Sequence, residues 1–153
     1  MYTKNEASII SQKFWSTFGS YMKPIPTQED CKVNWINYKT GIKNIRFTMN
    51  ADQFKAKIAI EIYHPDNDLQ QLYTNQFLLL KNHFTETMTE EWQWDINTID
   101  ELRGNVQTLI YKEIKEVNVF NKNDWPRVIT FFKDRIMHLH EFWLNAKYAF
   151  EKL

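Results

Sequence analysis

The sequence contains very little cysteine or glycine, and this scarcity argues against several kinds of site. Cys31 is the only cysteine, so the chain can form neither an intrachain disulfide nor a cysteine zinc cluster. The three glycines, Gly19, Gly41 and Gly104, stand far apart, and no glycine-rich phosphate-binding motif occurs. The chain also lacks the G-x-S-x-G motif of serine hydrolases. These absences argue against a Rossmann or P-loop nucleotide enzyme and against thiol or serine catalysis.

Net charge and long apolar runs are also missing. Nineteen basic residues balance nineteen acidic residues, so no overall field attracts nucleic acid or an anionic membrane. No stretch of about eighteen apolar residues is present, and the N-terminus lacks the apolar core and cleavage site of a signal peptide. Together with the scarcity of cysteine, these features predict a cytoplasmic protein that has no membrane segment.

The chain is instead rich in large aromatic residues. It contains six Trp, seven Tyr and eleven Phe among 153 residues, and each buried ring covers on the order of 150–250 Å². A chain of this length and composition can bury a core without a metal or a disulfide. We therefore expect a single domain over residues 1–153.

Hydrophobic periodicity predicts an α+β fold. A helical period is present over residues 5–22 and 66–89 and again after Pro126, where a last helix is expected. Alternating or β-branched segments predict strands at 33–38, 44–49, 55–63, 90–97 and 106–119. The predicted order is α-β-β-β-α-β-β-α, with a mainly antiparallel sheet that the helices cover on one face.

The start of this order is distantly similar to the core of PD-(D/E)XK nucleases. Those enzymes bind Mg²⁺ through an acidic residue and a D/E-x-K pair on neighbouring strands. Here the residue two positions after Glu61 is Tyr63 rather than lysine. A degenerate nuclease would need Asp52, Glu61 and Lys57 to converge, and it stays an alternative.

Aromatic and basic residues are mixed in the first half of the chain. Such mixtures can stack bases and hold phosphates. The candidate binding surface consists of Trp35, Tyr38, Lys39, Arg46 and Lys57. The alternative is that these are ordinary exposed strand residues. They belong to a basic block over residues 32–57, which an acidic block over 84–102 follows.

A candidate polar site lies where the third predicted strand ends and the second helix begins. It consists of Glu61, His64 and Asp66. The alternative is that His64 and Asp66 cap the helix while Glu61 is solvated. No metal and no cofactor is predicted from these residues.

Several segments resemble a known family. They are Phe14-Trp15, Asn34-Trp35-Ile36-Asn37-Tyr38-Lys39-Thr40-Gly41, Glu90-Glu91-Trp92-Gln93-Trp94, Phe120-Asn121-Lys122-Asn123-Asp124-Trp125-Pro126 and Glu141-Phe142-Trp143. Together they resemble the short stand-alone bacterial members of domain-of-unknown-function family 4268, which has no established activity. In longer relatives a similar domain follows a nuclease-like domain, so the resemblance implies an accessory role near restriction or defence systems.

The functional prediction is a non-catalytic binding or assembly domain. Its partner is unknown. A homodimer is predicted through a patch around Trp92 and Trp94, because a two-fold interface can pair the basic and acidic blocks reciprocally. The alternative is a nucleic-acid-binding protein or the degenerate nuclease.

Overall fold

The computed structural model describes residues 2–25 and 33–153. Cys31, the cysteine for which the sequence argues against thiol catalysis, lies outside the described residues. The helices are α1 (Lys4–Met22), α2 (Asn67–Leu79), α3 (Lys81–Met88), α4 (Trp125–Ala146) and α5 (Tyr148–Glu151), with a 3-10 turn at Lys122–Asp124. The strands are β1 (Ile45–Ala51), β2 (Lys55–Ile62), β3 (Gln93–Ile99) and β4 (Val106–Lys115).

The helices begin where local side-chain chemistry predicts. Thr3 Oγ1 accepts a hydrogen bond from the Glu6 amide at 3.1 Å, and Asp66 Oδ1 accepts one from the Asp68 amide at 2.8 Å. Both oxygens satisfy amides that have no partner inside a helix. Pro126 lies in the first turn of α4, where the missing amide costs nothing.

The four strands form one antiparallel sheet in the order β1-β2-β4-β3. The apolar face of β2 is its alternating set Ala56, Ile58, Ile60 and Ile62, which are all fully buried. The helices cover this face, as the hydrogen bond between Thr74 of α2 and Thr108 of β4 shows. The predicted α+β class, the antiparallel sheet and the covered face are confirmed.

Aromatic rings fill the space between the helices and the sheet. Around α1, the rings of Phe14 and Phe18 pack against Phe132 of α4. Under the sheet, Trp143 packs edge-on against Phe47 and parallel to Phe77. This ring packing explains the aromatic richness of the sequence, because each pair adds directional contacts to the burial of apolar area.

The predicted strand at residues 33–38 is wrong, because this segment is irregular. The Asn34 side chain accepts a hydrogen bond from the Asn37 amide at 3.0 Å and closes a turn. Two strands rather than three therefore precede α2 in the described part of the chain. The predicted helix at 66–89 is divided at Leu80, whose amide bonds to the carbonyls of both Gln76 and Phe77.

None of the helices in residues 2–25 and 33–153 is long and apolar enough to cross a membrane.

A candidate binding cleft at a free sheet edge

A cleft of about 530 Å³ runs along β1, which is an edge strand of the sheet. One side is formed by five consecutive residues of β1, and the other by the irregular segment 36–39 together with one aromatic residue of α1. The lining residues are Trp15, Ile36, Asn37, Tyr38, Lys39, Arg46, Phe47, Thr48, Met49 and Asn50.

Two residues of β1 direct unpaired main-chain groups into this region. The Asn44 carbonyl accepts from the Tyr63 amide at 3.1 Å, and hydrogen bonding alternates along an antiparallel pair. The even-numbered residues of β1 therefore bond to β2, while Phe47 and Met49 direct their N–H and C=O groups away from it. No described residue bonds to these groups on that side. With respect to residues 2–25 and 33–153, the edge of β1 is thus open at Phe47 and Met49.

The start of the same edge is closed. The Ile45 amide donates to the Ile42 carbonyl at 3.3 Å, and the Ile45 carbonyl accepts from Thr40 Oγ1 at 2.7 Å. Thr40 is itself fixed to the core, because Trp143 Nε1 donates to its carbonyl at 2.7 Å. The open part of the edge therefore has a defined beginning.

The far wall of the cleft is held in place by aromatic contacts. The Tyr38 ring stacks on Phe47 at 5.0 Å, and its hydroxyl lies 2.6 Å from His140 Nδ1 of α4. Trp35 is buried behind this wall and packs edge-on against His140. Tyr38 and Trp35 therefore both contact the ring of His140, and these contacts fix the position of the irregular segment.

Gly19 allows this wall to approach α1 closely. A β-carbon at position 19 would lie 3.1 Å from Ile36 Cδ1, which is tighter than ordinary van der Waals contact. The absence of a side chain at Gly19 therefore helps to set the position of Ile36.

The described charges that line the cleft have one sign. Among residues 2–25 and 33–153, its lining includes Lys39 and Arg46 and no carboxylate. Arg46 Nη2 lies 3.6 Å from Glu61 Oε1, and half of the Arg46 side chain is exposed. Such exposed pairs are weak, so Arg46 stays available to an anion. Lys39 is exposed and makes no ion pair with a described residue. The cleft therefore favours a ligand with negative charge.

The opposite edge of the sheet has a different character. The pairing of β3 with β4 shifts register between Asp95 and Thr98, and Asn97 adopts a left-handed backbone with φ of 53°. The Asn97 amide turns inward to Thr108 Oγ1 at 3.2 Å. A bulge of this kind interrupts the row of outward main-chain groups that another strand needs.

The structure brings three of the five predicted binding residues together. Tyr38, Lys39 and Arg46 line the cleft, whereas Trp35 is buried behind its wall. Lys57 pairs with Asn50 and therefore lies about 13 Å along the sheet from Arg46. Arg46 and Lys57 do share the sheet face that the helices leave uncovered.

This uncovered face carries aromatic rings and mixed charges. Lys57 Nζ lies 4.2 Å from the centre of the Tyr111 ring, and Lys55 pairs with Glu113 at 3.5 Å. The pKa of Tyr111 is raised, mainly because the phenol is partly buried. The Asp95 carboxylate beside its hydroxyl raises that pKa further. Both effects keep the phenol neutral. The basic residues of this face are therefore balanced by neighbouring carboxylates.

The predicted polar residues do not share one site in the structure. Asp66 caps α2, and His64 Nδ1 accepts from the Asp66 amide at 2.9 Å. Glu61 lies on the uncovered sheet face, where its carboxylate accepts from Thr48 Oγ1 at 3.2 Å. Among residues 2–25 and 33–153, no group of three His, Cys, Asp or Glu side chains is placed to hold a metal ion.

The convergence that a degenerate nuclease requires does not occur. Asp52 lies in the β1–β2 turn, where its carboxylate accepts from the amides of Phe54 and Lys55. Glu61 lies near the other end of β2, about 20 Å from Lys55 at the usual rise of a strand.

A family model described as Domain of unknown function (DUF4268) matches residues 10–147, which is most of the chain. The chain belongs to this family. Comparison with curated proteins and with solved structures gives no match. The DUF4268 match spans all ten residues that line the cleft, so the cleft is a feature of the family domain in this chain.

Sequence reasoning missed two features of this DUF4268 cleft. Trp15 belongs to the apolar stripe of α1, and its period gives no sign that it also reaches the wall of a cleft. Met49 was predicted only as part of the strand at 44–49. Its outward main chain follows from the strand order, which alternation along a single strand does not specify.

Proposed function

We propose that this protein is a non-catalytic binding domain and that its ligand occupies the cleft along β1. The observation that supports the proposal is an open strand edge inside a cleft with a fixed far wall. Open edges are templates for further pairing and are usually covered or interrupted. Among the residues that the structure describes, this edge is covered only at Ile45, whose main chain is bonded to Thr40 and Ile42.

Three side chains that are able to perform acid–base chemistry have structural partners instead. His140 contacts the Tyr38 hydroxyl, Asp66 caps α2 and Glu90 pairs with Arg135. A catalytic site requires such groups to meet around a substrate. Their separate structural contacts support binding rather than catalysis.

Selection from random libraries tests this proposal. The immobilised protein is offered random decapeptides displayed on phage and, separately, pools of random single-stranded DNA and RNA. Asn37→Trp places a large ring in the cleft from an exposed wall position, and Asn145→Trp is the matched control on the exposed side of α4.

We expect ligands that bind the wild type and Asn145→Trp equally and lose binding to Asn37→Trp. If the enriched ligands bind Asn37→Trp as tightly as the wild type, or if no library yields a ligand, the cleft is not the functional site.

A second candidate function is nucleic-acid binding by the uncovered sheet face. Arg46 and Lys57 share this face with Tyr63 and Tyr111, and each cation lies over one of the two rings. Cations beside exposed rings can hold phosphates and stack bases. The nearby carboxylates weigh against this candidate.

The remaining parts of the proposal concern partners and location. Trp92 is 6 % exposed and packs against Phe84, so the surface patch predicted for a homodimer belongs largely to the core. The homodimer itself stays a prediction, with no interface assigned to it.

The link to restriction or defence systems stays an implication of the family resemblance. We place the protein in the cytoplasm because its single cysteine fits a reducing compartment.

A further inference from the structure

We infer that the cleft binds an extended, acidic polypeptide segment that adds to β1 as a fifth strand. This inference rests on the proposed function and specifies its ligand. Strand addition is an established way for proteins to recognise peptides, in which main-chain hydrogen bonds give affinity and side-chain pockets give selectivity.

The main-chain geometry supplies the first argument. Phe47 and Met49 each direct one N–H and one C=O out of the sheet, and they are two residues apart. That spacing is about 6.7 Å, which is the repeat at which an extended chain presents its own groups. A nucleic acid has no such row of alternating donors and acceptors, so this edge favours a polypeptide.

The position of the side chains supplies the second argument. Residues of an added strand would alternate between the two faces of the sheet. Those on the helix side would meet the apolar wall formed by Trp15 and Tyr38, and those on the other side would lie beside Arg46. The cleft therefore fits a segment in which apolar and acidic residues alternate.

Charge supplies the third argument. Lys39 and Arg46 are the charged residues of the lining within the described part of the chain, so an acidic segment gains two favourable contacts and a basic segment meets repulsion. A second copy of β1, whose sequence is Ile-Arg-Phe-Thr-Met-Asn-Ala, brings no carboxylate. Charge complementarity therefore favours an acidic partner over self-association.

The ligand side is tested with the decapeptides that the phage selection enriches. These peptides are synthesised, and each amide is replaced in turn by its N-methyl form. We expect loss of binding, at least about tenfold, at every second residue over part of the peptide, because alternate amides donate to the edge of β1. We also expect Asp or Glu to be enriched at residues of the intervening set.

The protein side is tested with a pair of variants at Met49. Met49→Pro replaces the methionine side chain and removes the outward N–H, whereas Met49→Ala shortens the side chain and keeps the N–H. Neither affects the ladder to β2, because proline is tolerated where an edge amide points outward. We expect Met49→Pro to bind the enriched peptides at least about fivefold more weakly than Met49→Ala.

The charge argument is tested with Lys39→Gln and Arg46→Gln against Lys43→Gln, an exposed lysine that does not line the cleft. We expect each of the first two to weaken binding about two- to fivefold at low salt and the third to leave it unchanged.

The outcomes separate this inference from the proposed function. Peptides that bind in the cleft without a two-residue N-methyl pattern would overturn strand addition and leave the binding domain standing. The same holds if only nucleic acid is enriched. A wild type that sediments as a dimer, which Met49→Pro separates into monomers, would overturn the acidic ligand, because a second copy would then occupy the edge. Failure of every library would overturn both. If Met49→Pro does not fold, the N-methyl pattern decides.

Discussion

At the scale of single residues, the Glu90 carboxylate makes three polar contacts, to Trp92 and Arg135. Its Oε2 accepts from Trp92 Nε1 at 3.0 Å and lies 2.9 Å from Arg135 Nε. Its Oε1 accepts from Arg135 Nη2 at 3.0 Å. Both charged side chains are less than a quarter exposed. This pair ties the segment before β3 to the middle of α4.

We expect Glu90→Gln to lower the free energy of unfolding by about 1–2 kcal/mol, because it weakens charge-assisted hydrogen bonds in a partly buried place. Urea unfolding measures the change. Glu91→Gln is the matched control, since the neighbouring side chain is exposed, and it should stay within about 0.5 kcal/mol of the wild type. Equal stability of all three proteins would show that the pair adds nothing.

Residue-level chemistry was predictable from the sequence where it is local. The helix caps Thr3 and Asp66 each accept a hydrogen bond from an amide two or three positions further along the chain. Such short spacings can be recognised in the sequence. The contact between Tyr38 and His140 joins residues 102 positions apart, and nothing in either local pattern indicates it. For the same reason, the sequence indicates Glu90 only as a member of the acidic block over residues 84–102.

At the scale of secondary-structure elements, the apolar stripes were predicted well. Phe14 and Phe18 of α1 are fully buried, and so is Ile60 of β2. Period alone was not enough at residues 33–38, where Trp35 packs on His140 while Ile36 contacts Gly19. The hydrogen bond from the Asn37 amide to the Asn34 side chain closes a turn there, which an extended strand does not allow.

We expect Phe14→Ala and Ile60→Ala each to destabilise the protein by about 2–5 kcal/mol, because each leaves a cavity in the core. Thermal or urea unfolding measures this. Phe54→Ala is the control, because Phe54 is 68 % exposed at the β1–β2 turn. A loss below about 0.5 kcal/mol for Phe14→Ala or Ile60→Ala would contradict the assignment of these stripes to the core.

At the scale of the whole molecule, strand order and charge distribution decide which surfaces can bind. The sequence predicts antiparallel strands but not that β4 lies between β2 and β3. The free edge of β1, and with it the cleft, was therefore not predictable from the strands one at a time. Only Tyr38, Lys39 and Arg46 indicated the region, through their mixture of aromatic and basic residues.

We expect no binding to short single- or double-stranded DNA or RNA at about 150 mM salt, with or without Mg²⁺, because the net charge is zero and carboxylates lie among the cations of the open face. Fluorescence anisotropy measures this at low and physiological salt. Arg46→Gln combined with Lys57→Gln should leave the result unchanged. Salt-dependent binding that this double variant abolishes would instead assign nucleic-acid recognition to the open face.

The bulge in β3 has a consequence for how these molecules associate at high concentration. A fibril grows only if each added molecule offers a new edge after it has joined, which requires two usable edges per sheet. In the described part of this chain the β1 edge is regular and the β3 edge is broken near Asn97. Two molecules that associate through their β1 edges therefore expose only their irregular β3 edges. No third molecule can pair there, so association ends at a pair and does not continue into a fibril.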